Sequence, residues 1–182
     1  MAEGYIKEAR QKIAATLKVD PKELIITSGG TESNNMALIG TALAAKRKGN
    51  HIITTAVEHP SVKATASFLE EQGFRITFLS VDSRGQISLE DLKEALTPDT
   101  ILVSIMYVNN EIGTIQPVEE AAKLVHATVP GAVFHVDAIQ AYGKVMIRPK
   151  QQGIDLLSVS SHKFHGPKGA GFLYCSSKVN LH

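Results

Sequence analysis

Asp99–Pro117 reads DTILVSIMYVNNEIGTIQP. A strongly apolar run of strand length passes into two amides, a carboxylate and a glycine, and Pro117 then opens a helix at a position where its missing N–H costs little. Strand, polar loop and helix together form the unit of a sheet whose strands are joined by crossover helices. The same alternation recurs on both sides of this stretch, so the chain reads as an α/β fold.

Toward the N-terminus, Tyr5 to Lys18 predicts a helix, LIITS (24–28) a strand, and Thr31 to Lys48 a second helix closed by Gly49, with Thr31 as a candidate N-cap. HIITTAV (51–57) is a further strand. Ser61 is placed to cap a helix running to Gln72, RITFLSV (75–81) returns as a strand, and Ser88 with Asp91 matches a capping box at the head of SLEDLKEAL. Toward the C-terminus, AVFHVDA (132–138), IDLLSVSS (154–161) and GAGFLYC (169–175) are strands. The chain starts almost at once on a helix and stops just after a strand. That suits either an incomplete unit or a compact domain whose last strand is an edge.

Composition narrows the function. With 182 residues and 43% hydrophobic content, the chain can bury the core of one domain. Nineteen basic against eighteen acidic residues give a formal net charge of +1, with no basic run to track phosphates, so nucleic acid is not an expected partner. The single cysteine, Cys175, excludes an internal disulfide and fits a reducing compartment, with cytoplasm the default. No apolar run is long enough to cross a bilayer as a helix, so a soluble protein is expected.

Ligands of open α/β sheets bind beyond the carboxyl ends of the strands, and five polar or glycine-rich clusters follow strands here. SGGTESNN (28–35) offers free N–H groups, close backbone approach at Gly30 and the Thr31 hydroxyl, all suited to a phosphate at a helix start. Read alone, it is also an ordinary strand-to-helix turn. EHP (58–60) supplies an imidazole, His59, able to stack on a planar ligand or to move protons. In VNNEIGTIQP (108–117), Asn110 belongs to a group of hydrogen-bonding side chains that doubles as turn chemistry. HVDAIQAYG (135–143) places the Asp137 carboxylate at a strand end, with Gln140 three residues on, where Asp137 could pair with a protonated ring nitrogen or cap a helix.

The last cluster, SSHKFHGPKGAG (160–171), sets Lys163 among Ser160, Ser161, His162 and His165 after a buried-type strand, a placement that suits a Schiff-base lysine. His162 and His165 alone could also be metal ligands, but no acidic or cysteine partner has supporting spacing. Neither GxxxxGK[ST] nor GxGxxG occurs, which disfavours a P-loop or a dinucleotide fold. A phosphate cradle, a stacking imidazole, a carboxylate for a ring nitrogen, amides and an amine for an aldehyde are together the requirements of pyridoxal 5'-phosphate.

With these residues assembled, the chain resembles the cysteine desulfurase family, the class V aminotransferase branch of fold-type I pyridoxal phosphate enzymes. SGGTESNN, EHPSV, ILVSIMYVNNEIGTIQPV, FHVDAIQAYGK and SVSSHKFHGPKGAGFLY carry the resemblance over nearly the whole chain. It implies a three-layer α/β sandwich with a mostly parallel sheet. It implies further that Lys163 bonds the cofactor, that Gly30, Thr31, Ser160 and His162 hold its phosphate, and that His59 stacks on its ring. Asp137 would keep the ring nitrogen protonated, with Gln140 and Asn110 near the phenolic oxygen and the incoming substrate.

The implied reaction converts L-cysteine to L-alanine, leaves a persulfide on an enzyme cysteine, and passes the sulfur to an acceptor such as an iron–sulfur scaffold. A homodimer whose partner subunit completes the phosphate site is implied as well. Relatives are longer, so residues 1–182 are expected to be the pyridoxal-phosphate-binding large domain, without an N-terminal segment and the small domain that carries the nucleophilic cysteine and a substrate-gripping arginine. Cys175 matches neither motif and reads as a small apolar residue on a strand. A selenocysteine lyase or another class V enzyme would share these motifs. A noncatalytic α/β binding module would keep the clusters as turns and caps, and a metal or phosphate-ester site on His162 and His165 is a further alternative.

Overall fold

The computed structural model describes residues 2–182. Seven strands among them form one sheet: β1 (Leu24–Thr27), β2 (His51–Thr55), β3 (Arg75–Leu79), β4 (Thr100–Met106), β5 (Val133–Asp137), β6 (Leu156–Ser160) and β7 (Gly171–Cys175). Their spatial order is β1-β7-β6-β5-β4-β2-β3. β2 to β6 pair in parallel, while β7 runs antiparallel to both β1 and β6. The expected α/β architecture with a mostly parallel sheet is therefore present. The last strand, expected as an edge in a compact domain, instead lies between β1 and β6; the edges are β1 and β3.

Six helices flank the sheet: α1 (Ala2–Leu17), α2 (Gly30–Ala45), α3 (Pro60–Glu71), α4 (Leu89–Ala95), α5 (Val118–Thr128) and the short α6 (Pro149–Gln152). Side chains alternate across a strand, and the core divides accordingly. Leu102, Leu156 and Leu173 pack with Leu38 of α2 and Val62 and Leu69 of α3. Val103, Ile105, Val136 and Leu157 pack on the other face with Leu92 of α4 and Val125 of α5. Helix, sheet and helix make three layers. Truncating Leu38, which is fully buried, to alanine would cost about 2–5 kcal/mol.

The α2 face of the sheet changes character along its strands. Leu102, Val133 and Leu156 are followed two residues later by Ser104, His135 and Ser158, and these by Met106, Asp137 and Ser160. The buried His135 ring spans three strands, with Nδ1 2.8 Å from Ser104 Oγ and Nε2 2.9 Å from Ser158 Oγ. Burial lowers its pKa to about 3, so the ring is neutral and each nitrogen is paired with a hydroxyl. Apolar packing holds one end of this face, and a satisfied polar rung supports the end from which Asp137 and Ser160 project.

Several local expectations change on folding. Gly29, not Thr31, is the N-cap of α2, and Thr31 lies in the first turn. α3 begins at Pro60, and its cap is the His59 ring, which accepts from the Ser61 N–H at 3.1 Å; Ser61 is inside the helix. Pro117 sits at the N-cap of α5, one residue ahead of the position expected. Ser88 does cap α4 by accepting from the Asp91 N–H, and a full capping box forms at Asp20 and Glu23. α2 ends at Ala45 instead of Lys48; Gly49 lies so close to the chain before β4 that a Cβ there would stand 2.2 Å from the Asp99 carbonyl oxygen.

Candidate functional site

The connection after β2 enters α3, on the α2 face, whereas the connection after β4 enters α5 on the opposite face. β2 and β4 are neighbours, so their loops diverge and leave a crevice at the carboxyl ends, the place where open α/β sheets bind ligands. β1 and β6 contribute from the other side. Thr27 of β1 and Ser160 of β6 both pair with Gly171 of β7, which sets the start of α2 beside the end of β6.

A cleft of about 230 Å3 occupies this position. Gly30 and Thr31 line it from the first turn of α2, His59 from the start of α3, and Asn110 from the loop after β4. Asp137 and Gln140 enter from the end of β5, and Ser160, His162 and Lys163 from the end of β6. The nine residues that the family resemblance assigns to the cofactor thus meet at one opening, whereas Ser161 and His165 do not line it. Ser61, Met106 and Ile139 complete the lining, and Lys168 joins Thr31 and His162 in an adjoining recess. No motif pointed to Ser61 or Met106, whereas Lys168 stood in GPKG, a signal that could have been followed.

The anion-facing end is built from backbone. No side chain caps α2, so the N–H groups of its first turn remain available beside the Thr31 and Ser160 hydroxyls. Ser160 Oγ lies 2.9 Å from His162 Nδ1. Gly171 makes this approach possible: a Cβ there would stand 2.8 Å from Gly29 Cα.

The opposite end is carboxylate chemistry. Asp137 is buried, and its Oδ1 accepts from the Ile139 N–H at 3.0 Å while Oδ2 accepts from Asn34 Nδ2 at 2.9 Å. Burial raises its pKa, opposed by these two donors and by nearby His59. Behind it lies Glu58, fully buried, which accepts from the Met106 N–H at 2.9 Å and the Thr55 hydroxyl at 2.8 Å. Desolvation drives the Glu58 carboxyl up to about 8, so it holds a proton at neutral pH. Asn34 and Glu58 were missed as site neighbours because burial is a tertiary property. The four-residue spacing from Gly30 to Asn34, which puts both on one helical face, was the available signal.

Of the two asparagines after β4, Asn109 builds the loop. Its Oδ1 accepts from the Glu111 and Ile112 N–H groups at 2.9 and 3.0 Å and its Nδ2 donates to the Val57 carbonyl at 3.0 Å, which leaves Asn110 to face the cleft. Lys163 and His162 are exposed at the rim. Cys175 is elsewhere: it pairs with Leu156 at the start of β6, four residues from the Ser160–Gly171 pair, or about 13 Å along the strand. Its half-buried thiol is pushed up to about 11 by burial, then by the charges of Glu23 and Asp155. His165 does not line the cleft, and no group of three or more metal-ligating side chains occurs among the described residues.

Donors at one end, a buried carboxylate at the other, an imidazole and an amine at the mouth are the donor set that pyridoxal phosphate requires, and the residues present fit it. Fold and site define the large domain of fold-type I pyridoxal phosphate enzymes. The model of the family described as aminotransferase class-V matches residues 1–181, and the chain belongs to that family of pyridoxal-phosphate-dependent enzymes.

Its relatives are cysteine desulfurases by name. The chain is 53% identical over 177 residues to the putative cysteine desulfurase IscS 1 of Bacillus subtilis, covering 97% of this chain and 46% of that protein. It is 51% identical over 169 residues to the mitochondrial cysteine desulfurase of Eremothecium gossypii, covering 93% and 34%. Among solved structures, a NifS-like protein superposes with a TM-score of 0.96 at 41% identity, covering all of this chain and 50% of that one. DndA from Streptomyces lividans gives 0.87 at 46% identity, covering 96% and 48%. The chain spans about half the length of the curated relatives it matches.

Proposed function

We propose that residues 1–182 are the pyridoxal-phosphate-binding large domain of a cysteine desulfurase, with Lys163 as the amine that bonds the cofactor aldehyde. The convergence on one cleft of nine residues drawn from five strand-end clusters and assigned by the family resemblance carries this reading. The first-turn N–H groups of α2, with Gly30, Thr31, Ser160 and His162, would hold the phosphate. Asp137 would accept from a protonated ring nitrogen, His59 would stack on the ring, and Gln140 and Asn110 would donate near the phenolic oxygen and the substrate. Bound there, pyridoxal phosphate supplies an electron sink for charge that develops on a substrate carbon.

The substrate in this reading is L-cysteine, an assignment supported by a solved neighbour described as SspA in complex with cysteine, which matches with a TM-score of 0.91 at 42% identity. Lys163 Nζ would be placed to move a proton at the substrate α-carbon, and His59 to handle a proton at the cleft mouth. A cysteine thiolate attacks the substrate sulfur. An S–S bond would form as the C–S bond breaks, with the C–S electron pair left on the substrate carbon, which takes up a proton, so that the sulfur stays on the enzyme and the carbon skeleton leaves as alanine. Cys175 is not assigned to that step in this reading, since it lies at the far end of β7 and burial pushes its thiol up to about 11; the nucleophile would come from outside residues 1–182. A sulfur acceptor such as an iron–sulfur scaffold, a homodimer and a reducing, cytoplasmic setting complete the proposal.

Pyridoxal phosphate added to the purified protein, followed by borohydride reduction and peptide mapping, tests it. The expected label lies on Lys163 and is absent from Lys163→Ala. A folded protein that takes no label at Lys163 overturns the cofactor reading and favours a noncatalytic binding module.

A further inference from the structure

Asn34 is completely buried and binds two parts of the site at once. Its Nδ2 donates to Asp137 Oδ2 at 2.9 Å and to Ser61 Oγ at 3.1 Å. Ser61 Oγ lies 2.8 Å from Nδ1 of His59, the same nitrogen that accepts the Ser61 N–H. Asn34 thus turns its donor side to both Asp137 and Ser61. Oδ1 is left buried without a partner. A buried polar atom left unsatisfied is costly, and Asn34 keeps one while both of its N–H groups are used on the cleft.

The position of Asn34 in α2 gives this arrangement a purpose. Gly30 and Asn34 are four residues apart and lie on one face of the helix, so the turn that offers N–H groups to an anion is rigidly joined to the amide that holds Asp137. We propose that Asn34 is a positioning residue that fixes the Asp137 carboxylate to helix α2 and, through Ser61, to the His59 ring, so that the two ends of the cofactor site keep one spacing. This rests on the assignment of the cleft to pyridoxal phosphate.

Asp137 shares its surroundings with Glu58 after β2, His59 at the head of α3, and His162 and Lys163 after β6, so its titration reads the balance among them. Removing a donor from a carboxylate disfavours its charged form. The test is carbon-13 NMR of labelled aspartate carboxyls in cofactor-free protein, with Asp137 assigned by its loss in Asp137→Asn. Asn34→Ala is expected to move the Asp137 midpoint upward by about one pH unit or more. Asn34→Asp, which keeps the volume, is expected to give a coupled carboxyl pair with one step above the wild-type midpoint.

An Asp137 midpoint unchanged in folded Asn34→Ala overturns the proposal, even if thermal stability falls. Should Asn34→Ala not fold, two carboxyls titrating independently in Asn34→Asp overturn it instead. No cofactor is present in these measurements. A labelled Lys163 with an unmoved Asp137 sinks only the role of Asn34, and a moved Asp137 with an unlabelled Lys163 sinks only the cofactor reading.

Discussion

Gly171 touches Gly29 so closely that a Cβ on Gly171 would lie 2.8 Å from Gly29 Cα and 2.6 Å from the Val159 carbonyl oxygen. The strand that returns along β6 and the turn that starts α2 are therefore packed backbone against backbone at the phosphate end of the cleft. Gly171→Ala must displace one of them, and we expect a loss of about 1–3 kcal/mol in urea unfolding together with weaker pyridoxal phosphate binding in a spectral titration. Gly169→Ala is the comparison. Its φ is +77° with no atom near the added Cβ, so about 1 kcal/mol of backbone strain is expected and the cofactor titration should change less. Equal effects on cofactor binding would show that the close approach is unimportant.

Glu58 makes folding sensitive to alkaline pH. Its carboxyl rises from an ordinary value of 4.5 to about 8, so across that window the folded state keeps a proton that the unfolded chain has lost. Its contribution is complete below 4.5 and falls by about 1.4 kcal/mol per pH unit until the folded group ionises near 8. Glu58→Gln removes the titrating proton while keeping the shape. Denaturant melts at pH 5 and pH 8 should show a smaller decline in this variant than in the wild type; parallel declines would mean that Glu58 is ionised when buried.

His135 acts in the opposite direction. Its folded value, about 3, lies below the ordinary 6.5, so its contribution is complete above 6.5 and is lost as pH falls toward 3. Between 4.5 and 6.5 the two groups have equal and opposite slopes, which predicts a plateau flanked by losses on both sides. His135→Phe leaves the Ser104 and Ser158 hydroxyls without their ring partner and should cost about 2 kcal/mol or more at neutral pH. It should also flatten the acid limb of the stability profile, and an acid limb of unchanged steepness would count against the buried neutral ring.

The strands were legible because a buried parallel strand is a continuous apolar run, as in β4, where all seven residues are buried. Strand order was not, since β7 enters between β1 and β6 through contacts distant in the sequence. α6 escaped notice because Pro149-Lys-Gln-Gln is one turn with no apolar period. Five polar clusters were visible because phosphate, ring and aldehyde chemistry each calls for recognisable side chains after a strand, and the family resemblance narrowed them to the nine cleft residues. Asn34 and Glu58 act on those residues rather than on a ligand. What distinguishes them is complete burial beside Asp137, which no residue type announces.

Cys175 supplies a test of where the sulfur chemistry lies. It stands at the far end of β7 from Gly171 and does not line the cleft, and its thiol is pushed from an ordinary 9.0 to about 11. The thiolate is the nucleophile, so alkylation of the folded protein at pH 8 should run roughly ten- to a hundredfold slower than after unfolding. Cys175→Ala should still take the borohydride-trapped label at Lys163, because the substitution keeps a small apolar residue on a half-buried strand. Rapid alkylation of the folded chain would contradict the buried, weakly acidic thiol, and loss of the label in a folded Cys175→Ala protein would overturn the assignment of the nucleophile to another part of the protein.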